Sequence, residues 1–174
     1  MTPKYQILVS MILLFTLADV NAMNNISEAI GPYRVSFSLP DDINVTLNPT
    51  TENKQSFYGD KNTNYNLDLI APLNPAYTAS ISVRENEEED LLYLGGSIIE
   101  TMERLGYSSV TPVYNEIDGS PGILVIGNQT TALPLIQEAV YILDNQTPVI
   151  VISTFPWNNV TSMILKTLHV ERVE

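Results

Sequence analysis

Few side chains in this sequence could carry chemistry, and their spacing limits what that chemistry could be. His169 is the single histidine, and cysteine is absent. Without cysteine, a disulfide framework, a thiolate metal site and a cysteine nucleophile are excluded. A lone imidazole could act as a general base or a metal ligand, but a zinc site around it would need three carboxylates. His169 is therefore read as a surface or helix-end residue, where its positive charge suits the negative end of a helix dipole.

Carboxylates are more plentiful. Glu85, Glu87, Glu88, Glu89 and Asp90 form an acidic run that could attract calcium, a cation that takes roughly six to eight oxygen ligands. The run lacks the alternating Asp/Asn spacing and the turn glycine of a calcium loop, and consecutive helical residues project about 100° apart. A solvated helix start is the expectation. Asp41, Asp42, Asp60 and Asp68 could supply the acid and base of a glycosidase, which stand about 5–9 Å apart. Adjacent aspartates at a turn, however, cap and solubilise it. Ser120 and Ser153 have no Gly-x-Ser-x-Gly context, and Gly95-Gly96 lies inside a helical pattern, where it permits close packing and cradles no phosphate. No catalytic residue, metal ligand or cofactor is assigned.

Aromatic groups near loops are the remaining candidates, as partner anchors. Trp157 precedes a helical pattern and reads either as a staple at its entrance or as an anchor. Phe57 and Tyr58 are the bulky apolar pair in the polar stretch from Asn48 to Asn64; they either fold back to pin it or stay exposed to be read. Phe57, Tyr58 and Trp157 are thus the candidate partner-binding residues.

The 174-residue chain carries 8 basic and 20 acidic side chains, a net charge of −12 and a pI near 4.3. Such a surface repels phosphate backbones and anionic headgroups, which argues against nucleic-acid or membrane-surface binding. At the start, Lys4, an apolar stretch from Ile7 to Ala18 and the small-residue motif Val20-Asn21-Ala22 have the form of a secretory signal cleaved between Ala22 and Met23. The apolar stretch is about a dozen residues, short of the roughly 18–20 that span a bilayer. Export gives meaning to the Asn-x-Ser/Thr motifs at Asn25, Asn44, Asn128, Asn145 and Asn159, which become glycosylation candidates. The expected location is secreted or cell-surface, of archaeal type.

Positioning these groups requires a mostly β domain. Met23 to Pro32 reads as a polar tether. Tyr33, Val35, Phe37 and Leu39 alternate with polar residues, the period of a half-buried strand. Ile43, Val45 and Leu47 keep the alternation, and Asn48 to Asn64 reads as a long loop. Two more strands cover Tyr65 to Leu69 and Tyr77 to Val83. The period then changes, and Leu91, Leu94, Ile98, Met102 and Leu105 place a helix over about 87–105, with Asn86 as N-cap and Gly106 as its stop. Asp118-Gly119-Ser120-Pro121 joins two strands as a hairpin. Strands follow at Ala139 to Leu143 and Val149 to Phe155, then a second helix over about 158–167 and an edge segment at Val170 to Val173. The expected fold is α+β, a mostly antiparallel sheet of about seven or eight strands with two helices on its apolar face, forming one domain over residues 33–174.

Tyr33-Arg34-Val35-Ser36-Phe37-Ser38-Leu39-Pro40, Ile117-Asp118-Gly119 before a strand, and the ending Ala139-Val140-Tyr141-Ile142-Leu143, Ile152-Ser153-Thr154-Phe155 and Leu168-His169-Val170 together resemble the PsbP-like superfamily over about Pro32 to Val170. Asp41-Asp42 stand where many relatives have an aromatic. The resemblance implies an α/β sandwich of exported or lumenal accessory proteins that bind other proteins without catalysis. The function expected is thus a non-enzymatic, protein-binding module of the cell surface or envelope. The alternative is a carboxylate-based hydrolase or a calcium-dependent binder of extracellular polymers.

Overall fold

A computed structural model describes residues 23–55, 61–72, 77–85, 90–107, 110–128, 135–144, 146–155 and 158–173. Its strands are β1 (Met23–Ile30), β2 (Tyr33–Pro40), β3 (Thr46–Gln55), β4 (Lys61–Ile70), β5 (Thr78–Glu85), β6 (Thr111–Ile117), β7 (Ser120–Gly127), β8 (Ile136–Leu143), β9 (Thr147–Ser153) and β10 (His169–Arg172). The helices are α1 (Leu91–Arg104) and α2 (Asn158–Thr167). Seven strands pair antiparallel in the order β3-β4-β5-β9-β8-β7-β6, and three form a smaller antiparallel sheet, β1-β2-β10. The α+β class and the antiparallel sheet are as the residue pattern predicts.

Alternation decides which side chains meet. In β2, Tyr33, Val35, Phe37 and Leu39 are buried and join Leu67, Leu69, Ile81, Val83, Val149 and Val151 of the large sheet in the main core. Each large apolar side chain so buried contributes roughly 1.5–3 kcal/mol. Helix α2 completes that layer through Val160, Ile164 and Leu165. A second cluster lies on the opposite face, where Leu94, Ile98 and Met102 of α1 pack on Ile123, Val125, Val140 and Ile150. The two helices therefore lie on opposite faces of the large sheet and do not share one. The reason is that β8 and β9 are apolar on both sides: Val140 faces α1 while Ala139 and Tyr141 face the small sheet.

Three local expectations need correction. Met23 to Pro32 is not a tether, since β1 pairs with β2 along its whole length; its polar composition reflects an edge strand that is wet on most of its surface. Asn48 to Asn64 is not a loop. Most of it belongs to the β3–β4 hairpin, whose ladder runs from Thr46↔Ile70 to Gln55↔Lys61, and Pro49 is tolerated because β3 is an edge. The N-cap of α1 is Asp90, not Asn86: its carboxylate accepts from the Leu92 amide at 2.7 Å. At the other end Gly106, at φ 91°, lets the Gly106 and Tyr107 amides fold back on Glu103 and Met102 carbonyls, so the predicted glycine stop holds. The leader (residues 1–22), the acidic residues Glu87 to Glu89, Phe57, Tyr58, Asn145, Trp157 and the side chain of Asn159 lie outside the described residues.

Candidate functional site

Among the described residues, a set of titratable groups gathers around the last strand. Asp118 and Gly119 form the two-residue turn between β6 and β7, with φ of 52° and 71°, the conformation for which Asp-Gly is suited. The turn aims the Asp118 carboxylate across to β10. Oδ1 meets His169 Nδ1 at 2.8 Å, while Oδ2 accepts from the Val170 amide at 2.9 Å and from the Tyr141 hydroxyl at 3.1 Å. The hydrogen bond from Asp118 raises the pKa of His169 above its ordinary value, outweighing slight burial. Burial first, and Asp118 second, push the Tyr141 hydroxyl far up, so it serves as a donor only.

A carboxylate that orients an exposed imidazole is half of a general-base catalyst. The other half is not assembled. Ser36 stands directly across the ladder from His169, but its hydroxyl donates to Ser27 Oγ at 3.1 Å. His169 is an exposed residue, as expected, although it opens a strand and its charge partner is Asp118, not a helix end.

A second carboxylate fastens the far end of β10. Glu85 Oε1 accepts from the Tyr33 hydroxyl at 3.0 Å and pairs with Arg172 at 3.3 Å, and Oε2 accepts from Tyr65 at 3.3 Å. Burial, then Glu85, pushes the Tyr33 hydroxyl up to about 12. A third, Glu138, has its pKa raised by burial, opposed by the charge of Arg84. Glu85 thus pairs with Arg172 and Glu138 lies in the field of Arg84, while Asp118 holds the His169 ring, an amide and a phenol. Asp118 and Glu85 serve opposite ends of a four-residue strand, about 10 Å apart at ~3.3 Å per residue. Of the aspartates considered for acid–base chemistry, Asp41 and Asp42 are exposed between β2 and β3, Asp68 lies partly buried within β4, and Asp60 falls outside the described residues. Among the described residues, no three acidic or histidine side chains cluster as a metal site.

Beside the Asp118 turn the surface changes character. The side chains of Thr111 to Glu116 in β6 are all exposed, with Tyr114 at 72% and Val113 at 41%. Tyr114, Asn115, Glu116, Gly119 and Pro121 line an open recess of about 590 Å³. Tyr114 sits in an ordinary strand period and carries no local signal; it is exposed because β6, at the sheet edge, lies beyond α1, which packs on β7 and β8.

Three of the glycosylation candidates are exposed asparagines: Asn25 in β1, Asn44 between β2 and β3, and Asn128 just after β7. The motif at Asn159 is different, because its Thr161 is buried with its hydroxyl held by Ser153 and Gln137. Compared with protein families, curated proteins and solved structures, the chain matches none.

Proposed function

We propose that this protein is an exported, non-enzymatic module of the cell surface or envelope that binds another protein, and that the partner docks on β6 around Tyr114. The observation that carries the reading is the run of exposed β6 side chains, with a solvent-facing tyrosine at the mouth of an open recess. Tyrosine is among the residues enriched where partners bind, because its large ring loses little conformational entropy on ordering. Asp118 and Glu85 support the same reading, since both are committed to donors that fasten strands together. A net charge of −12 selects for a basic face on the partner. The PsbP-like likeness of the sequence points the same way, toward accessory proteins of exported compartments.

A photoreactive phenylalanine analogue in place of Tyr114, carried on the full chain in its own host, tests this. One discrete cross-linked protein is expected, and Tyr114→Ala should weaken its binding about tenfold or more while leaving the melting temperature unchanged. Unchanged affinity in Tyr114→Ala would remove β6 as the docking surface. A diffuse pattern of cross-links would remove the module reading itself. The carboxylate-based hydrolase alternative needs two carboxyls facing one cleft, whereas Asp118 and Glu85 fasten opposite ends of β10.

A further inference from the structure

Two packed sheets have four outer edges, and an open edge is a template on which another chain can add a strand. Three of the four are blunted here. In β6, Pro112 has no amide hydrogen to offer, and the Glu116 amide is capped by Asn115 Oδ1 at 3.0 Å. In β3, Pro49 withholds a donor. Strand β10 has only four residues, and its Val170 amide is held by Asp118. The fourth edge, β1, has eight residues, exposed over most of their length, with no proline and Glu28 as its one charge. It carries instead the sequence Asn25-Ile26-Ser27.

Asn25 and Ser27 lie two residues apart on one strand and so share a face. That face is the outer one: Asn25 stands across from Ser38 and Ser27 across from Ser36, while the alternate β2 residues Val35, Phe37 and Leu39 point into the core. Both motif residues are exposed. The bond from Ser38 Oγ, at 2.8 Å, goes to Asn25 Oδ1 and not to the amide nitrogen. An edge strand is also already extended, and its outer side is open to an enzyme.

We propose that Asn25 is N-glycosylated and that its glycan shields the β1 edge, doing for this strand what proline or a side-chain cap does for the others. In the transfer, Asn25 Nδ2 attacks the anomeric carbon of a lipid-diphosphate-linked oligosaccharide. The nitrogen–carbon bond forms as the carbon–oxygen bond to the diphosphate breaks, the amide nitrogen gives up one proton, and the lipid diphosphate departs. The proposal rests on the export reading. Stripped of the glycan, β1 would pair with β1 of a second copy about a two-fold axis.

The test uses the full chain, leader included, expressed in a host whose secretory route transfers N-glycans. Glycopeptide mass spectrometry of the exported protein is expected to find Asn25 occupied. Asn25→Gln and Ser27→Ala remove the motif, whereas Ser27→Thr keeps it. Light scattering should then give a monomer for the wild type and Ser27→Thr, and at least a doubling of mass for Asn25→Gln and Ser27→Ala. Exported protein with a bare Asn25 overturns the inference and leaves export standing. Protein retained inside the cell with residues 1–22 attached overturns both. Occupied wild type together with monomeric Asn25→Gln and Ser27→Ala overturns the shielding role.

Discussion

The carboxylate of Asp118 reaches His169 Nδ1 at 2.8 Å across 51 residues of sequence. One oxygen faces an exposed imidazole while the other accepts from a backbone amide and a buried phenol. The hairpin tip that ends β6 therefore also anchors the beginning of β10.

Asp118→Asn separates these two duties. Asparagine tolerates the positive φ, so the turn survives, but the charged acceptor for the Val170 amide and Tyr141 hydroxyl is lost. Urea unfolding at neutral pH should show a loss of about 2 kcal/mol, in the range for hydrogen bonds to charged groups. His169→Ala should cost under about 1 kcal/mol, because the imidazole is solvent-exposed. Equal losses in the two variants would place the anchoring in the imidazole instead.

His169 also sets a pH dependence. Its pKa is higher in the fold than the ordinary value of 6.5, so its contribution is fully present below about pH 6.5 and is lost as pH rises through the folded value. Melting temperature should decline across that window in the wild type and be flatter in His169→Ala. The effect is small because solvent screens the pair.

Glu138 gives a second pH effect, centred in the acid range. Its raised pKa means that burial disfavours its charge, so its share of stability is complete below the ordinary value of 4.5 and is lost as pH rises through the folded value. Glu138→Gln should match the wild type in acid and melt higher than it at neutral pH. A lower neutral melting temperature would show instead that attraction to Arg84 outweighs desolvation.

The two central glycines of α1 should respond differently. A Cβ on Gly95 would stand 2.7 Å from Ile123 Cδ1, whereas one on Gly96 meets nothing within 4 Å among the described residues. Gly96→Ala should gain about 1 kcal/mol from helix propensity. Gly95→Ala should gain less or lose, since Ile123 must move away. Thermal melts of both variants decide it.

How far the sequence reveals this molecule depends on burial. Strands with one dry face, such as β2 and β5, show a clean alternation, and α1 shows its stripe of Leu94, Ile98 and Met102. Strand β1, and β3 over its described side chains, bury little on either face, so nothing in Asn24-Asn25 or Thr50-Thr51-Glu52 distinguishes an edge strand from a tether or a loop. The helix start is ambiguous by four residues in the sequence because Asn86 and Asp90 are equally good caps, and only the fold chooses Asp90. Asp118 reads locally as turn chemistry, which it is; that it also holds His169 is a long-range contact with no local signature. Of the candidate partner anchors, Phe57, Tyr58 and Trp157 fall outside the described residues, and the exposed aromatic at the recess is Tyr114.

The small sheet also sets how the molecule bears load. Strand β1 begins opposite Pro40, β10 finishes opposite Tyr33, and the two run parallel with β2 between them. Tension between Met23 and Arg172 thus acts along the strand axes, at right angles to the hydrogen bonds. Those bonds must rupture together in shear instead of peeling apart one by one, and the rate of mechanical failure is set by the unfolding barrier. Gripped by these two points, the domain should yield abruptly and at high force.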